Sequence, residues 1–179
     1  MTGEEKGCKA APLVPNRTAV VITVSDSGAE GLRPDQSGEV VAERLRAEGY
    51  ELKFRVVVPD DIAAITGALC RCTDDERVAL VVTTGGTGVA PRDVTPEATL
   101  QVVHRLVPGM AEAMRAASLS RTPHAMISRA VVGIRHATLI VNLPGSPSGA
   151  LENLEVILSA LPHALAKIQG DPSPCARQP

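Results

Sequence analysis

Residues 78–95 read VALVVTTGGTGVAPRDVT, and this stretch decides the fold of the chain. An apolar, β-branched run ends at Thr84, a turn follows at the GGTG of residues 85–88, and a helix is indicated from Thr95-Pro96. A buried strand that passes through a glycine turn into a helix leaves backbone N–H groups free to bind an anion, close to the positive end of the helix. The stretch therefore predicts an anion-binding turn, with the carboxylate of Asp93 at its far side.

Strand-like and helix-like segments alternate on both sides of this stretch. Strands are predicted at residues 17–25, 51–58, 78–84, 130–135 and 138–143. Helices are predicted at residues 39–48, 62–72, 96–104 and 108–118, and from residue 151 towards the C-terminus. This alternation favours an α/β fold with three layers, in which a mostly parallel sheet has helices on both faces. We predict one domain at residues 17–169, between disordered tails at residues 1–16 and 170–179.

The composition excludes several classes of function. A net charge of -2 gives no field that would attract nucleic acid, and Tyr50 and Phe54 are the only Phe, Tyr or Trp side chains on which bases could stack. No segment is long and apolar enough to span a bilayer, and the N-terminus lacks the apolar core of a signal peptide. The four cysteines form no Cys-x-x-Cys pair, as is usual for reduced thiols. We therefore expect a cytoplasmic protein that binds neither nucleic acid nor membrane.

Polar and glycine residues lie where several predicted strands end. Ligands of parallel sheets bind at the carboxyl ends of the strands, near a switch in strand order. Asp60 follows the second strand, and Asp93 follows the glycine turn of the third. The other candidate ligand-binding residues at these strand ends are Ser25, Asp26, Thr84, Gly85, Gly86, Thr87, Gly88, Asn142, Pro144, Gly145 and Ser146.

The glycine turn belongs to neither common class of nucleotide-binding loop. No lysine follows Gly88, as a Walker A loop requires, and Pro91 stands where a dinucleotide fingerprint has glycine or alanine. A tight turn that binds no ligand is the alternative explanation. A triphosphate bound here would need its charge neutralised without a loop lysine, and Mg²⁺ held by Asp60 and Asp93 would do this.

Local structural roles compete with the catalytic role for these carboxylates. Asp93 could accept hydrogen bonds from the start of the helix at Thr95. Asp60 could cap the helix that follows it, a position for which Asp61 competes, and Asp26 has the same ambiguity after the first strand. Thr95 is expected to act only as a helix cap.

The remaining polar residues give weaker indications. Ser148 is expected to cap the final helix. The four histidines lack the spacing of a metal site, and the sequence supports no Ser-His-Asp or Cys-His nucleophile arrangement. Four loop arginines could contact phosphates, although most loop arginines are simply solvated: Arg33, Arg92, Arg121 and Arg129.

Several of these segments, taken in order, resemble the sequence signature of the MoaB/Mog family of molybdenum cofactor biosynthesis. The longest match is TTGGTG at residues 83–88 followed by PRDVTP at residues 91–96. The shorter matches are Val24-Ser25-Asp26, Asp35-x-Ser37-Gly38, Pro59-Asp60, Pro108-Gly109-Met110, Ser128-Arg129 and Asn142-Leu143-Pro144-Gly145. Together they cover residues 17–169, the whole predicted domain.

This resemblance implies a molybdopterin-binding fold and the activity of a molybdopterin adenylyltransferase, which is a nucleotidyltransferase. In that reaction the AMP moiety of ATP is transferred to the terminal phosphate of molybdopterin, and pyrophosphate is released with Mg²⁺ present. The family's acidic catalytic positions map to Asp60 and Asp93, and the TTGGTG loop and the NLPGS turn map to the nucleotide and pterin sites. The resemblance also implies a homotrimer and hand-over of the product to a molybdenum insertase.

A non-catalytic protein that binds or carries molybdopterin is the alternative on the same fold. The presence of both Asp60 and Asp93 favours the enzyme. Because the nucleophile is the substrate's own phosphate, such an enzyme must position two anions and offset their charge, and it needs no covalent residue.

Overall fold

The computed structural model describes residues 16–175. Residues 1–15 and 176–179, which contain most of the predicted tails, lie outside the described residues. Asn16 is held on the domain, because its backbone N–H donates to Gln169 Oε1 at 2.7 Å. Residues 170–175 form neither helix nor strand, and Asp171 pairs with Lys167 at 3.2 Å.

A six-stranded sheet forms the centre of the molecule, in the order β2-β1-β3-β6-β5-β4. Its strands are β1 (Thr18–Val24), β2 (Glu51–Val58), β3 (Leu80–Thr84), β4 (Arg105–Leu106), β5 (Val132–Arg135) and β6 (Thr138–Leu143). Strands β2, β1, β3 and β6 are parallel, whereas β5 pairs antiparallel with both β6 and β4. Strand β4 was not predicted, because two exposed residues give no strand pattern.

Helices cover both faces of the sheet. They are α1 (Asp26–Ala29), α2 (Gln36–Ala47), α3 (Ile62–Cys70), α4 (Thr95–Val102), α5 (Pro108–Leu119), α6 (Pro147–Leu158) and α7 (Leu161–Ile168). A π-helical turn at Arg71–Asp75 extends α3, and a 3₁₀ helix at Pro123–Ile127 follows α5. No helix within residues 16–175 is long and apolar enough to cross a membrane.

Each face of the sheet has its own apolar core, because alternate residues of a strand face opposite sides. Ala19 and Val21 of β1 belong to the cluster that contains residues of α2, α5, α6 and α7. Val20 and Ile22 belong to the other cluster, with residues of α3 and α4. All four side chains are completely buried. This arrangement confirms the predicted α/β fold with a mostly parallel sheet and helices on both faces.

The strand order reverses beside β1, and this reversal positions the site. After β1 the chain adds β2 on one side and then adds β3 on the other side. Ligands of open α/β sheets bind outside the carboxyl ends of the strands at such a switch point. Val24 and Thr84 end β1 and β3, so the crevice is expected directly above these two residues.

Three local predictions about helices are wrong. Thr95 is not a cap: it is the first residue of α4, and its Oγ1 donates to Gly85 O at 2.9 Å. Ser146, not Ser148, caps α6 by accepting from Gly149 N at 3.2 Å, because Pro147 suits the first helical position. The single closing helix is two helices, α6 and α7, interrupted at residues 159–160.

Candidate active site

The glycine turn after β3 is packed so closely that its first two residues must be glycine. Gly85 has a φ of +94° and Gly86 a φ of +61°, which L-residues rarely adopt. A Cβ on Gly85 would lie 2.3 Å from the carbonyl oxygen of Val24, and one on Gly86 would lie 2.4 Å from Thr95 Oγ1. The Cβ position of Gly145, after β6, is 3.2 Å from Gly85 Cα. Backbone atoms from the ends of β1, β3 and β6 therefore form the floor of the site.

The amide groups of this turn have no protein acceptor beyond its first residue. Gly85 N donates to Leu143 O at 3.2 Å, which joins the turn to β6. The N–H groups of Gly86, Thr87 and Gly88 donate no hydrogen bond to any residue within 16–175. Successive free N–H groups at a strand-to-helix turn are suited to binding phosphate oxygens.

Asp60 and Asp93 lie against the glycine turn from two sides. A Cβ on Gly86 would be 3.2 Å from Asp60 Oδ1, and a Cβ on Gly88 would be 2.8 Å from Asp93 Oδ2. Side chains at these two glycines would therefore displace the carboxylates as well as obstruct a phosphate. The structure brings together the two residues that were predicted to form the catalytic pair.

A reciprocal pair of hydrogen bonds, the Asp26–Asp60 clasp, joins the ends of β1 and β2. Asp26 N donates to Asp60 Oδ2 at 2.9 Å, and Asp60 N donates to Asp26 Oδ1 at 3.0 Å. Arg92 forms an ion pair with the outer oxygen of Asp26. Asp61, not Asp60, caps α3 by accepting from Ala64 N at 2.9 Å. The clasp therefore fixes Asp60 beside the turn and leaves it no capping role.

The two carboxyl groups of the clasp have opposite electrostatic environments. Burial raises the pKa of Asp60, and the nearby charges of Asp26 and Asp93 act in the same direction. The backbone hydrogen bond from Asp60 and the side chain of Arg92 lower the pKa of Asp26. Because Arg92 is engaged by Asp26, the charge of Asp60 is the less well compensated of the two.

Arg129 holds the second half of the loop in place. Its Nε donates to Gly88 O at 2.6 Å, and its Nη2 donates to the carbonyl oxygen of Asp93. Its Nη1 forms an ion pair with Glu97 of α4. Asp93 Oδ2 accepts from Ala90 N at 2.8 Å, so Asp93 stabilises its own loop and does not bond the start of α4. Arg129, which could have contacted phosphate, instead positions Asp93.

Two cavities open on the two sides of the glycine turn. The first has a volume of about 420 Å³ and includes Asp93, and the second has a volume of about 430 Å³ and includes Asp60. Gly86, Gly145 and Ser146 line both cavities, so the cavities meet at the floor. Each cavity therefore has one of the two carboxylates in its wall.

Most of the predicted binding residues line these cavities. Thr87, Gly88 and Pro144 line the first, whereas Ser25, Thr84 and Gly85 line the second. Two of the predicted residues, Asp26 and Asn142, line neither cavity. Asp26 acts through the clasp. Asn142 is fully buried, and its Nδ2 donates to Thr83 Oγ1 and Thr99 Oγ1, both at 3.0 Å.

The outer wall of the first cavity contains residues that the sequence did not indicate as part of the site. Thr122 and Ser128, the latter from the Ser128-Arg129 match, flank the 3₁₀ helix in this wall. Helix α5 and the 3₁₀ helix contribute Arg115, Ser118, His124 and their neighbours. Their spacing follows no motif, because they come from helix faces that only the fold brings together. The second cavity is bounded by residues 33–37, for which the Asp35-x-Ser37-Gly38 motif was an available signal.

The other loop arginines differ in their availability. Arg121 pairs with Glu152 at 2.5 Å, at the edge of the first cavity. Arg33 is exposed and lines the second cavity. Within residues 16–175, no group of three or more His, Cys, Asp or Glu side chains is arranged to hold a metal ion. Asp60 and Asp93 therefore belong to no preformed cage of this kind within these residues.

Comparison with known proteins identifies the family. Residues 20–163 match the family described as "Probable molybdopterin binding domain". The chain belongs to this family. The resemblance predicted from the sequence is therefore confirmed, and the match spans the sheet and the glycine turn of the molybdopterin-binding domain.

Several curated relatives are named molybdopterin adenylyltransferase, in agreement with the predicted activity. The protein from Helicobacter pylori (strain ATCC 700392 / 26695) is 40% identical over 155 residues, which cover 84% of this chain and 87% of the relative. The one from Escherichia coli (strain K12) is 42% identical over 143 residues, with 78% and 73% covered. Gephyrin from Dictyostelium discoideum is 43% identical over 85% of this chain, but the match spans only 22% of gephyrin.

Solved structures of the family have the same fold. The molybdopterin biosynthesis enzyme MoaB from Thermus thermophilus superposes with a TM-score of 0.82 at 46% identity, covering 87% of this chain and 98% of that one. The tungsten cofactor synthesizing protein MoaB from Pyrococcus furiosus superposes with a TM-score of 0.80 at 33% identity, covering 89% and 99%. The molybdopterin-binding domain described above is thus the family fold over nearly its full length.

Proposed function

We propose that this protein is a molybdopterin adenylyltransferase, with one substrate in each cavity. The observation that supports this most directly is the meeting of two cavities of similar volume at Gly86, Gly145 and Ser146. A transferase that joins two large substrates must hold their reacting ends together in line. The names of the curated relatives support the same assignment.

The reaction needs positioning and charge stabilisation more than it needs a reactive side chain. A terminal phosphate oxygen of molybdopterin attacks the α-phosphorus of ATP, the bond to the bridging oxygen of the β-phosphate breaks, and pyrophosphate leaves. The free N–H groups of Gly86, Thr87 and Gly88 are placed to donate to phosphate oxygens at the junction of the cavities. Donors fixed in advance stabilise charge that develops during the transfer.

Asp60 and Asp93, one in the wall of each cavity, are carboxylates of the kind that binds Mg²⁺. Mg²⁺ is commonly held by one or two carboxylates together with substrate phosphates and water, and so it needs no three-residue cage. Asp60 and Asp93 would hold the ion, which would offset the charges of the phosphates. The raised pKa of Asp60, caused first by burial, indicates a carboxylate that a cation would stabilise in its charged form.

We also propose that the protein forms a homotrimer in the cytoplasm and passes its product to a molybdenum insertase, as the resemblance implies. Exposed apolar side chains support self-association: Val89 is 61% exposed, Met126 72% and Ile127 51%. Arg129 N donates to Thr87 O at 2.9 Å. This bond joins the loop that contains Val89 to the segment that follows Met126 and Ile127. Sedimentation equilibrium at micromolar concentration should give the mass of three chains, and a monomeric mass would contradict this assembly.

Incubation with molybdopterin, ATP and Mg²⁺ tests the proposed activity. Adenylylated molybdopterin and pyrophosphate should appear in equal amounts. Asp60→Asn and Asp93→Ala should each reduce turnover by a factor of about 10² or more. Asp61→Asn is the matched control and should retain turnover, because Asp61 only caps α3 and asparagine caps a helix equally well.

The same experiment distinguishes the alternative function. Binding of molybdopterin without any adenylylated product would contradict the enzyme and support a non-catalytic molybdopterin-binding or carrier protein. Unchanged turnover in Asp93→Ala would show that this carboxylate only accepts the loop hydrogen bond from Ala90 N at 2.8 Å.

A further inference from the structure

Four side chains in the wall of the second cavity form a continuous chain of hydrogen bonds, which we call the hydroxyl relay. Thr23 Oγ1 donates to Asp35 Oδ1 at 2.8 Å, and Thr84 Oγ1 donates to Thr23 Oγ1 at 3.2 Å. Ser37 Oγ lies 3.1 Å from Thr84 Oγ1. All four residues line the second cavity, so the relay runs along its wall from Asp35 to Ser37.

The carboxylate of Asp35 determines the direction of every bond in the relay. An ionised carboxylate only accepts hydrogen bonds, and Asp35 is held as an acceptor by Gly38 N at 2.8 Å and Arg55 Nη1 at 3.5 Å. The Thr23 hydroxyl therefore donates its proton to Asp35, and the Thr84 hydroxyl donates its proton to Thr23. Ser37 must donate its own proton to Thr84, because a hydroxyl has only one.

Ser37 is consequently left as a buried acceptor that faces the cavity. Its hydroxyl oxygen keeps two lone pairs, and no N–H or O–H group within residues 16–175 donates to it. The residue is only 7% exposed. The hydroxyl already makes one hydrogen bond, to Thr84, and its unused lone pairs can accept a second one from a donor on whatever fills the cavity.

We propose that Ser37 is a specificity-determining residue that accepts a hydrogen bond from an amino or hydroxyl group of the substrate in the second cavity. The inference rests on the proposed function, since it takes that substrate to be ATP or molybdopterin. Adenine and pterin both have amino groups, and ribose has hydroxyl groups. A phosphate oxygen does not fit at Ser37, because two acceptors would face each other. The phosphates therefore belong at the glycine turn, and the ring or sugar of the same substrate belongs at Ser37.

Equilibrium binding to the wild-type protein and to Ser37→Ala tests the inference. The 5′-triphosphates of purine riboside, 2′-deoxyadenosine and 3′-deoxyadenosine each lack one donor of ATP. One of them should bind the wild type about tenfold more weakly than ATP, the value of a single hydrogen bond. Ser37→Ala should weaken the binding of ATP by the same factor and leave the binding of that analogue unchanged. The ratio of the ATP affinity to the analogue affinity should therefore fall to about one.

Molybdopterin provides the second arm of the experiment. If the pterin occupies the second cavity, Ser37→Ala should weaken molybdopterin about tenfold and leave ATP and its analogues unaffected. The two arms thus identify which substrate supplies the donor.

The variant Thr23→Val tests whether the direction of the hydrogen bonds in the relay affects binding while the Ser37 hydroxyl is still present. Valine has nearly the shape of threonine, and Ser37 remains in place. Without the acceptor at Thr23, the Thr84 proton is free to turn towards Ser37, and Ser37 is no longer held as an acceptor. Binding of the donor-bearing substrate should therefore weaken several-fold, although Ser37 itself is unchanged. Thermal unfolding of both variants checks that the fold is retained.

The outcomes separate this inference from the proposed activity. Equal weakening of every ligand by Ser37→Ala, or no change in any ligand, would overturn the inference and make Ser37 a packing contact between α2 and β3. A selective effect of Ser37→Ala on ligand binding, without adenylylated product, would support the inference and contradict the proposed activity. Product formation with an unselective effect on binding would support the activity and contradict the inference. Failure of both substrates to bind would contradict the inference and the activity.

Discussion

Substitution of Gly86 by alanine tests how closely the floor of the site is packed. The new Cβ would lie 2.4 Å from Thr95 Oγ1, in a residue with a φ of +61°. The left-handed conformation costs an L-residue about 1 kcal/mol. Relief of the close contact should cost about 1–3 kcal/mol more, since Thr95 Oγ1 is held by its hydrogen bond to Gly85 O at 2.9 Å. Gly86→Ala should therefore lower the free energy of unfolding by about 2–4 kcal/mol.

Urea unfolding of double variants separates the two contributions. In a Thr95→Ala background the oxygen is absent, so the cost of Gly86→Ala should fall towards the conformational term of about 1 kcal/mol, with the 3.2 Å approach to Asp60 Oδ1 still in place. In a Thr95→Val background a methyl group takes the place of the oxygen, and the full cost of about 2–4 kcal/mol should return. Both backgrounds lack the hydrogen bond to Gly85, so their difference measures the contact alone.

An equal cost of Gly86→Ala in the wild type and in Thr95→Ala would refute this reasoning, because the contact with Thr95 would then contribute nothing. Gly67→Ala in α3 is the matched control. A Cβ at Gly67 would meet no atom within 4 Å, and its φ is not in the left-handed region. Alanine there should stabilise the protein by about 0.5–1 kcal/mol, as expected within a helix.

Three further predictions concern the loop, the carboxylates and the thiols. Arg129→Ala should reduce turnover about 10²-fold and increase hydrogen exchange at residues 88–93, because Arg129 bonds Gly88 O and Asp93 O. Arg129→Lys should have an intermediate effect on turnover and on hydrogen exchange, since lysine lacks the planar guanidinium group. In a pH–rate profile, kcat/KM should fall on acidification as Asp60 of the free enzyme becomes protonated, because burial raises the pKa of Asp60 and its neutral form holds Mg²⁺ poorly. Since charged Asp60 is disfavoured in the folded state, its contribution to stability falls as the pH rises through that pKa, so Asp60→Asn should raise the thermal unfolding midpoint at pH 7 but not at acidic pH. Burial raises the pKa of Cys72 to about 12, so iodoacetamide at pH 8 should modify the exposed Cys175 and spare Cys72, as judged by mass spectrometry.

The elements and the centre of the site were predictable because their signals are local or follow from strand order. The β-branched runs of β1 and β3 produce strands that are buried at residues 19–24 and 80–84. Gly85 and Gly86 have the positive φ values that a glycine turn suggests. Asp60 and Asp93 meet at this turn because the carboxyl ends of parallel strands lie at one edge of a sheet.

The parts that were not predictable depend on contacts between distant segments. Thr95 has the sequence context of a cap, yet its hydroxyl is used by Gly85 O, ten residues away. Arg129 looks like any loop arginine until the fold brings it to Gly88 O at 2.6 Å. Asn142 matches a family motif, but burial and bonds to Thr83 and Thr99 keep it out of both cavities. Tertiary structure decided each of these roles.

The floor of the site has a consequence for how such a protein can diverge. Where Gly85 meets Val24 and Gly145, main-chain atoms touch with no side chain between them. A single substitution cannot change the shape of a surface made of backbone atoms without disrupting its packing. The walls, in contrast, contain side chains of helices outside the sheet, such as Arg115 of α5 and Ser37 of α2. We expect variation in substrate preference to arise in the walls, while the place where phosphates meet stays the same.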